Sequence, residues 1–65
     1  MTGYVRWWSQ EKGHGFIRGD DGRDYFVHYS MIEADGRKNL DRDEEVQFEG
    51  METKKGPRAV KIWRG

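Results

Sequence analysis

Two segments of this chain carry rings two positions apart, Lys12-Gly13-His14-Gly15-Phe16-Ile17 and Tyr25-Phe26-Val27-His28-Tyr29. That period of two constrains the fold more than any other feature. Successive side chains of a strand point to opposite faces, so His14 and Phe16 share one face and Ile17 takes the other. Phe26 and His28 in the same way oppose Val27. Paired as a hairpin, the segments bring four flat side chains onto one surface. A sheet needs no such row on its wet side for stability, whereas a platform for unstacked nucleobases does.

The remaining chain repeats the pattern in short runs. Tyr4-Val5-Arg6-Trp7-Trp8 reads as a first strand with Val5 inward, and the polar run Ser9–Gly13 reads as a turn. Residues 14–18 form the second strand. Gly19-Asp20-Asp21-Gly22 is a hairpin signal, because Asp and Gly tolerate the positive φ of tight turns. Asp24–Tyr29 is the third strand with Val27 inward, and Ser30 caps a short helical turn through Met31 and Ile32. Residues 33–44 are polar and read as a long loop, a length that often marks function in so small a domain. Glu45–Glu49 alternates as the fourth strand, Gly50–Gly56 is a basic turn region, and Arg58–Trp63 is the fifth strand with Val60 and Ile62 inward. Trp63 reads as a partly buried staple for the end of that strand. The expected class is all-β, a five-stranded antiparallel barrel that leaves no exposed edges.

Sixty-five residues suit one domain, 1–65, and a chain of this size buries only about 60% of its unfolded surface. With 34% apolar and 37% charged residues the composition borders on that of disordered chains. Nine aromatics in alternating patterns argue for a compact β fold instead. No cysteine is present, so disulfides and thiolate metal sites are excluded and a reducing cytoplasm is the expected location. Met1-Thr2 reads as a native start, with no leader and no apolar run of membrane-spanning length. The net charge is zero but unevenly spread. Arg6, Lys12 and Arg18 against Glu11 give +2 over residues 1–18; residues 19–49 sum to −6 and residues 50–65 to +4. A positive footprint is therefore expected where the two ends of the chain meet, although a solvated surface of both signs fits the same counts.

The two ring segments, in this order and spacing, resemble the cold-shock domain family, whose motifs are close to Lys-Gly-Phe-Gly-Phe-Ile and Val-Phe-Val-His-Phe. Gly3, Val5 and Trp7 fall where that family opens with Gly-x-Val-Lys-Trp-Phe, and Glu11 precedes Lys12. Ser30, Ile32, Gly36, Lys38, Leu40, Val46, Phe48 and Lys55-Gly56-Pro57 extend the match over nearly the whole chain. The resemblance implies an OB-type Greek-key barrel that binds single-stranded RNA and DNA, with roles as RNA chaperone, transcription antiterminator or cold-stress regulator. This sequence departs at several matching positions. His14 stands where Phe or Tyr is usual, Trp8 replaces Phe, Ser9 replaces Asn, Arg37 stands where many members carry a loop aromatic, and Arg58 replaces a polar or small residue.

Phe16 and Phe26 are expected to stack bases at roughly 1–3 kcal/mol each; the alternative, core filling, is already served by Ile17 and Val27. His28 and His14 are stacking partners or polar surface residues. Two histidines without nearby Cys or carboxylate partners make a poor metal site, so neither metal nor cofactor is expected. Trp7 and Trp8 are adjacent, so a regular strand sends one inward, while a bulge leaves both partly exposed. The resemblance has both contribute to binding. Tyr29 packs or stacks. Arg6, Lys12 and Lys55 are the expected phosphate contacts, with Arg37 and Arg58 as extras. Gly13 and Gly15 permit close approach of a base or answer a plain backbone need.

Enzyme function is not expected, since Ser9 and Ser30 lack an evident His-carboxylate constellation and so small a barrel has little room for an enclosed pocket. An RNA-recognition motif requires two helices and the opposite order of its aromatic motifs. The competing function is a protein-interaction barrel whose aromatic row holds an extended peptide. The expected partners are single-stranded RNA and DNA, bound by a monomer without membrane or small-molecule substrate.

Overall fold

The computed structural model describes residues 1–33 and 39–64. Strands β1 (Thr2–Ser9), β2 (His14–Gly19), β3 (Asp24–His28), β4 (Glu45–Thr53) and β5 (Gly56–Trp63) close into a barrel in the order β1-β2-β3-β5-β4. β1 returns to pair with β4 and complete the circuit. Neighbouring strands run antiparallel except β3 and β5, which meet in parallel at Phe26 and Arg58. The all-β barrel expected from alternation is therefore present, with one parallel contact in place of a uniformly antiparallel sheet. Among the described residues, closure gives each strand a neighbour on both sides.

The interior is filled from every strand. Val5, Ile17, Val27, Val46, Phe48 and Ile62 are wholly buried, and Tyr25, Ile32, Leu40 and Ala59 complete the core. Burying a side chain the size of Phe48 contributes roughly 1.5–3 kcal/mol. Tyr25 was not among the residues expected inside, although it shares a face with Val27. Its ring meets Phe48 edge-on at 5.0 Å, and its hydroxyl donates to the Asp21 carboxylate at 2.5 Å. That hydrogen bond holds the Asp21 carboxyl below its usual range and pushes the Tyr25 phenol above its own. A buried ring thus keeps its polar end satisfied at the rim.

Two bulges set which residues face out. In β1, Val5 pairs with Ile17 but Trp7, two residues on, pairs with the adjacent Phe16, so Arg6 is the extra residue. Regular alternation from the buried Val5 would turn Trp7 inward. The bulge turns it outward instead, beside Phe16, and sends Trp8 to the inward face opposite Gly15. In β5, Lys61 pairs with Glu49 and Ala59 with Gly50, leaving Val60 as the extra residue. Val60 is consequently only half-buried and Ala59 takes the inward place that alternation assigned to it. A bulge adds one residue to one strand, so the period of two slips there.

Other boundaries moved for local reasons. β3 ends at His28, and Tyr29–Met31 form one 3-10 turn capped by His28 rather than by Ser30. The His28 side chain accepts from the Ser30 amide, so the expected cap is the donor in this motif. β4 runs to Thr53, four residues beyond the expected end, because Gly50–Thr53 stay paired with β5. The far end of the long loop is pinned to β1, with the Asp43 amide donating to Val5 and the Val5 amide to Glu44. Arg64 bonds both the Glu44 carboxylate and the Asn39 carbonyl. Burial opposes the charge on Glu44, but Arg64 and the Asp41 amide outweigh it and leave the carboxyl acidic.

Gly15 sits where β1 and β2 approach most closely, and a Cβ there would lie 2.0 Å from the Trp7 carbonyl oxygen. Backbone cannot yield as a flexible side chain can. Gly15→Ala is therefore expected to lower unfolding free energy by about 1–3 kcal/mol, read by urea denaturation; a midpoint like that of the parent contradicts the close approach.

Candidate nucleic-acid interface

The hairpin register places the rings directly across from one another, His14 opposite His28 and Phe16 opposite Phe26. Phe26 is the hub. Its ring meets Phe16 edge-on at 5.7 Å and His14 at 5.4 Å, and His14 in turn lies 5.8 Å from Trp7. These tilted and edge-on contacts are the arrangements that ring quadrupoles favour, so the row is supported without being covered. Trp7 keeps 45% and Phe16 40% of its surface exposed. Next to the row, His28 and Tyr29 pack at 4.5 Å, with Tyr29 lying over Gly13. The Tyr29 amide bonds the Gly13 carbonyl at 2.8 Å, which ties the 3-10 turn to the β1–β2 turn. His28 Nδ1 accepts from the Ser30 amide at 3.3 Å.

Along the other flank of Phe16 and Phe26 runs a groove of about 440 Å³, bounded by Asp24, Lys55, Pro57 and Arg58. Its far wall is the β4–β5 turn, held by Thr53. The Thr53 hydroxyl donates to the Gly56 carbonyl at 2.7 Å and accepts from the Lys55 amide at 3.1 Å. Gly56 has φ 110°, a conformation that side chains other than glycine's rarely adopt. The Arg58 guanidinium stands over the Phe26 ring, 5.0 Å from its centre. Asp24 bonds Arg18 at 2.5 Å. That contact, with a smaller contribution from the charge of Arg6, holds its carboxyl below the usual range. The acid of the groove is thus ionised and engaged, while Lys55 and Arg58 make the opposite wall basic.

The residues singled out in the sequence are not all in one place. Trp7, His14, Phe16 and Phe26 form the continuous row, His28 and Tyr29 adjoin it, and Lys55 and Arg58 line the groove. Arg6 is exposed at the β1 bulge and Lys12 on the β1–β2 turn. Trp8 is half-buried and packs on the core. Its indole Nε1 and His14 Nδ1 are buried side-chain polar atoms lacking a hydrogen-bond partner among the described residues. Arg37 lies outside the described residues. Of the basic residues at the two ends of the chain, Lys55 and Arg58 line the groove beside Phe16, and Arg18 pairs with the groove's Asp24. Sequence reasoning missed Asp24, Arg18 and Pro57. Asp24 shares the outward face of β3 with Phe26 and pairs with Arg18, a signal that strand alternation and the hairpin register contained. Among the described residues no group of three His, Cys, Asp or Glu is placed to hold a metal. No helix among them is long and apolar enough to cross a membrane.

Comparison with known proteins adds an independent finding. Residues 1–64 match the family model described as the 'Cold-shock' DNA-binding domain. The cold shock-like protein CspLB of Listeria monocytogenes is 49% identical over 62 residues, covering 95% of this chain and 94% of that protein. A cold shock-like protein of Thermotoga maritima is 48% identical, and cold shock protein CspD of Bacillus subtilis 47%, with the same coverage.

Proposed function

This chain belongs to the cold-shock domain family, and we propose that its outward ring row binds single-stranded RNA and DNA by stacking unpaired bases. The observation that carries this is the exposure of Trp7 and Phe16 beside a barrel whose interior is already filled. Large rings held wet by a bulge and a strand register contribute little to folding. Bases offer them a flat apolar partner, and stacking is indifferent to sequence because every base has a π-face. Arg6, Lys12 and Lys55 track the phosphates around the row. His28 and Tyr29 extend the platform.

Binding of this kind melts weak RNA structure by mass action. A protein with affinity for unpaired strands alone shifts the equilibrium toward them without an energy source. That is the physical content of an RNA-chaperone or antitermination role, and it requires no catalytic group.

The test is a tryptophan-fluorescence titration with heptathymidine, since Trp7 lies beside the stacking site. Replacing both Phe16 and Phe26 by Ala is expected to weaken binding by about 30-fold or more, from roughly 1–3 kcal/mol per stacked base. For phosphate contacts from Arg6, Lys12 and Lys55, affinity is expected to fall with a logarithmic salt slope of about −2. A folded double variant that binds as the parent does defeats the proposal. Tight binding of a proline-rich peptide, with no response to heptathymidine or salt, would assign the row to protein interaction instead.

A further inference from the structure

Barrel closure sets Phe26 and Arg58 side by side. They are the registered pair through which β3 meets β5. The guanidinium then covers the Phe26 ring at 5.0 Å. Phe26 is half-buried, with His14 and Phe16 also against its ring, whereas Phe16, its partner directly across the hairpin, is exposed. The ring at the hub of the row is therefore not an open platform in the free protein. Arg58 caps it.

A base cannot enter that stack as it stands. Contact distances of about 3.5 Å on each side require the guanidinium to sit roughly 7 Å from the ring. Arg58 must rise by about 2 Å or leave the ring altogether. Its surroundings favour the smaller movement. The side chain springs from β5 just after the turn that Thr53 braces, so its base is fixed while its stem is long. Asp24, the acidic side chain in the groove, is engaged by Arg18. Once raised, the guanidinium would lie parallel to a base resting on Phe26, and its planar, weakly hydrated group stacks well on such a surface.

We propose that Arg58 is a displaceable clamp: it shields Phe26 in the free protein and closes over the outer face of the base that stacks there. The site holds one nucleobase between a ring and a guanidinium. It selects for a flat aromatic group rather than for a phosphate. The clamp presupposes that the ring row binds bases, and the experiment separates the two claims.

The experiment is a double-mutant cycle on heptathymidine binding with Arg58→Lys and Phe26→Ala, each variant first shown to be folded by its thermal transition. Phe26→Leu replaces Phe26→Ala if the latter unfolds. Lysine keeps the charge but cannot stack as a plane. A clamp predicts that Arg58→Lys weakens binding about three- to tenfold with the salt slope unchanged, and that this loss shrinks below about twofold once Phe26 is gone. If Arg58 reads a phosphate, Arg58→Lys binds like the parent, Arg58→Gln flattens the slope by about 0.7, and its loss persists without Phe26. If the guanidinium merely obstructs the ring, Arg58→Lys binds more tightly. Either result overturns the clamp and leaves the stacking surface in place. Binding that ignores Phe16 and Phe26 alike overturns both.

Discussion

The outward ring row depends on one step out of register, where Val5 pairs with Ile17 and Trp7 with the adjacent Phe16. A closed barrel has one interior, and Val5, Ile17, Val27, Val46, Phe48 and Ile62 fill it. Without the extra residue at Arg6, Trp7 would compete for that space. With it, the indole joins His14, Phe26 and Phe16 on the outer surface. The same slip brings the β1 backbone against Gly15, which is why that position carries no side chain. Core, bulge and ring row are therefore a single device, and a change to one is felt by the others.

Charge has a secondary place in this arrangement. A chain of zero net charge has no long-range pull on a polyanion, so the proposed binding rests on local contacts. The rings offer area, and the basic wall formed by Lys55 and Arg58 offers local attraction. The ion pair between Arg18 and Asp24 keeps the groove's one carboxylate occupied, which limits repulsion of a nearby phosphate. Among the described residues, the acidic surplus of residues 19–49 sits mainly between strands, at Asp20, Asp21, Glu33, Asp41, Asp43 and Glu44.

Much of this was legible in the residues. The period of two around His14–Ile17 and Tyr25–His28 gave the hairpin and the face its rings share, and family resemblance gave the closure of the barrel. What alternation could not give were the bulges. A slip at Val60 or Arg6 arises from how a strand must bend to close a barrel, and no local propensity announces it. Val60 was assigned inward for that reason, and the choice between Trp7 and Trp8 stayed open. Asp24 and Arg18 were overlooked because each alone resembles an ordinary surface charge. Their significance lies in the pairing across the hairpin. The contact between Arg58 and Phe26 joins residues 32 apart in the chain and exists only once β3 and β5 meet.

The central claim is that Trp7, Phe16 and Phe26 present their faces to bases. Proton NMR of the protein titrated with heptathymidine tests it directly. Base stacking predicts upfield ring-current shifts of the Phe16 and Phe26 ring protons, with nuclear Overhauser contacts from those protons to thymine H6 and methyl groups. Ring resonances that stay in place while Tyr4 and Glu49 respond would mean that the strand lies elsewhere on the barrel, and the account would be wrong.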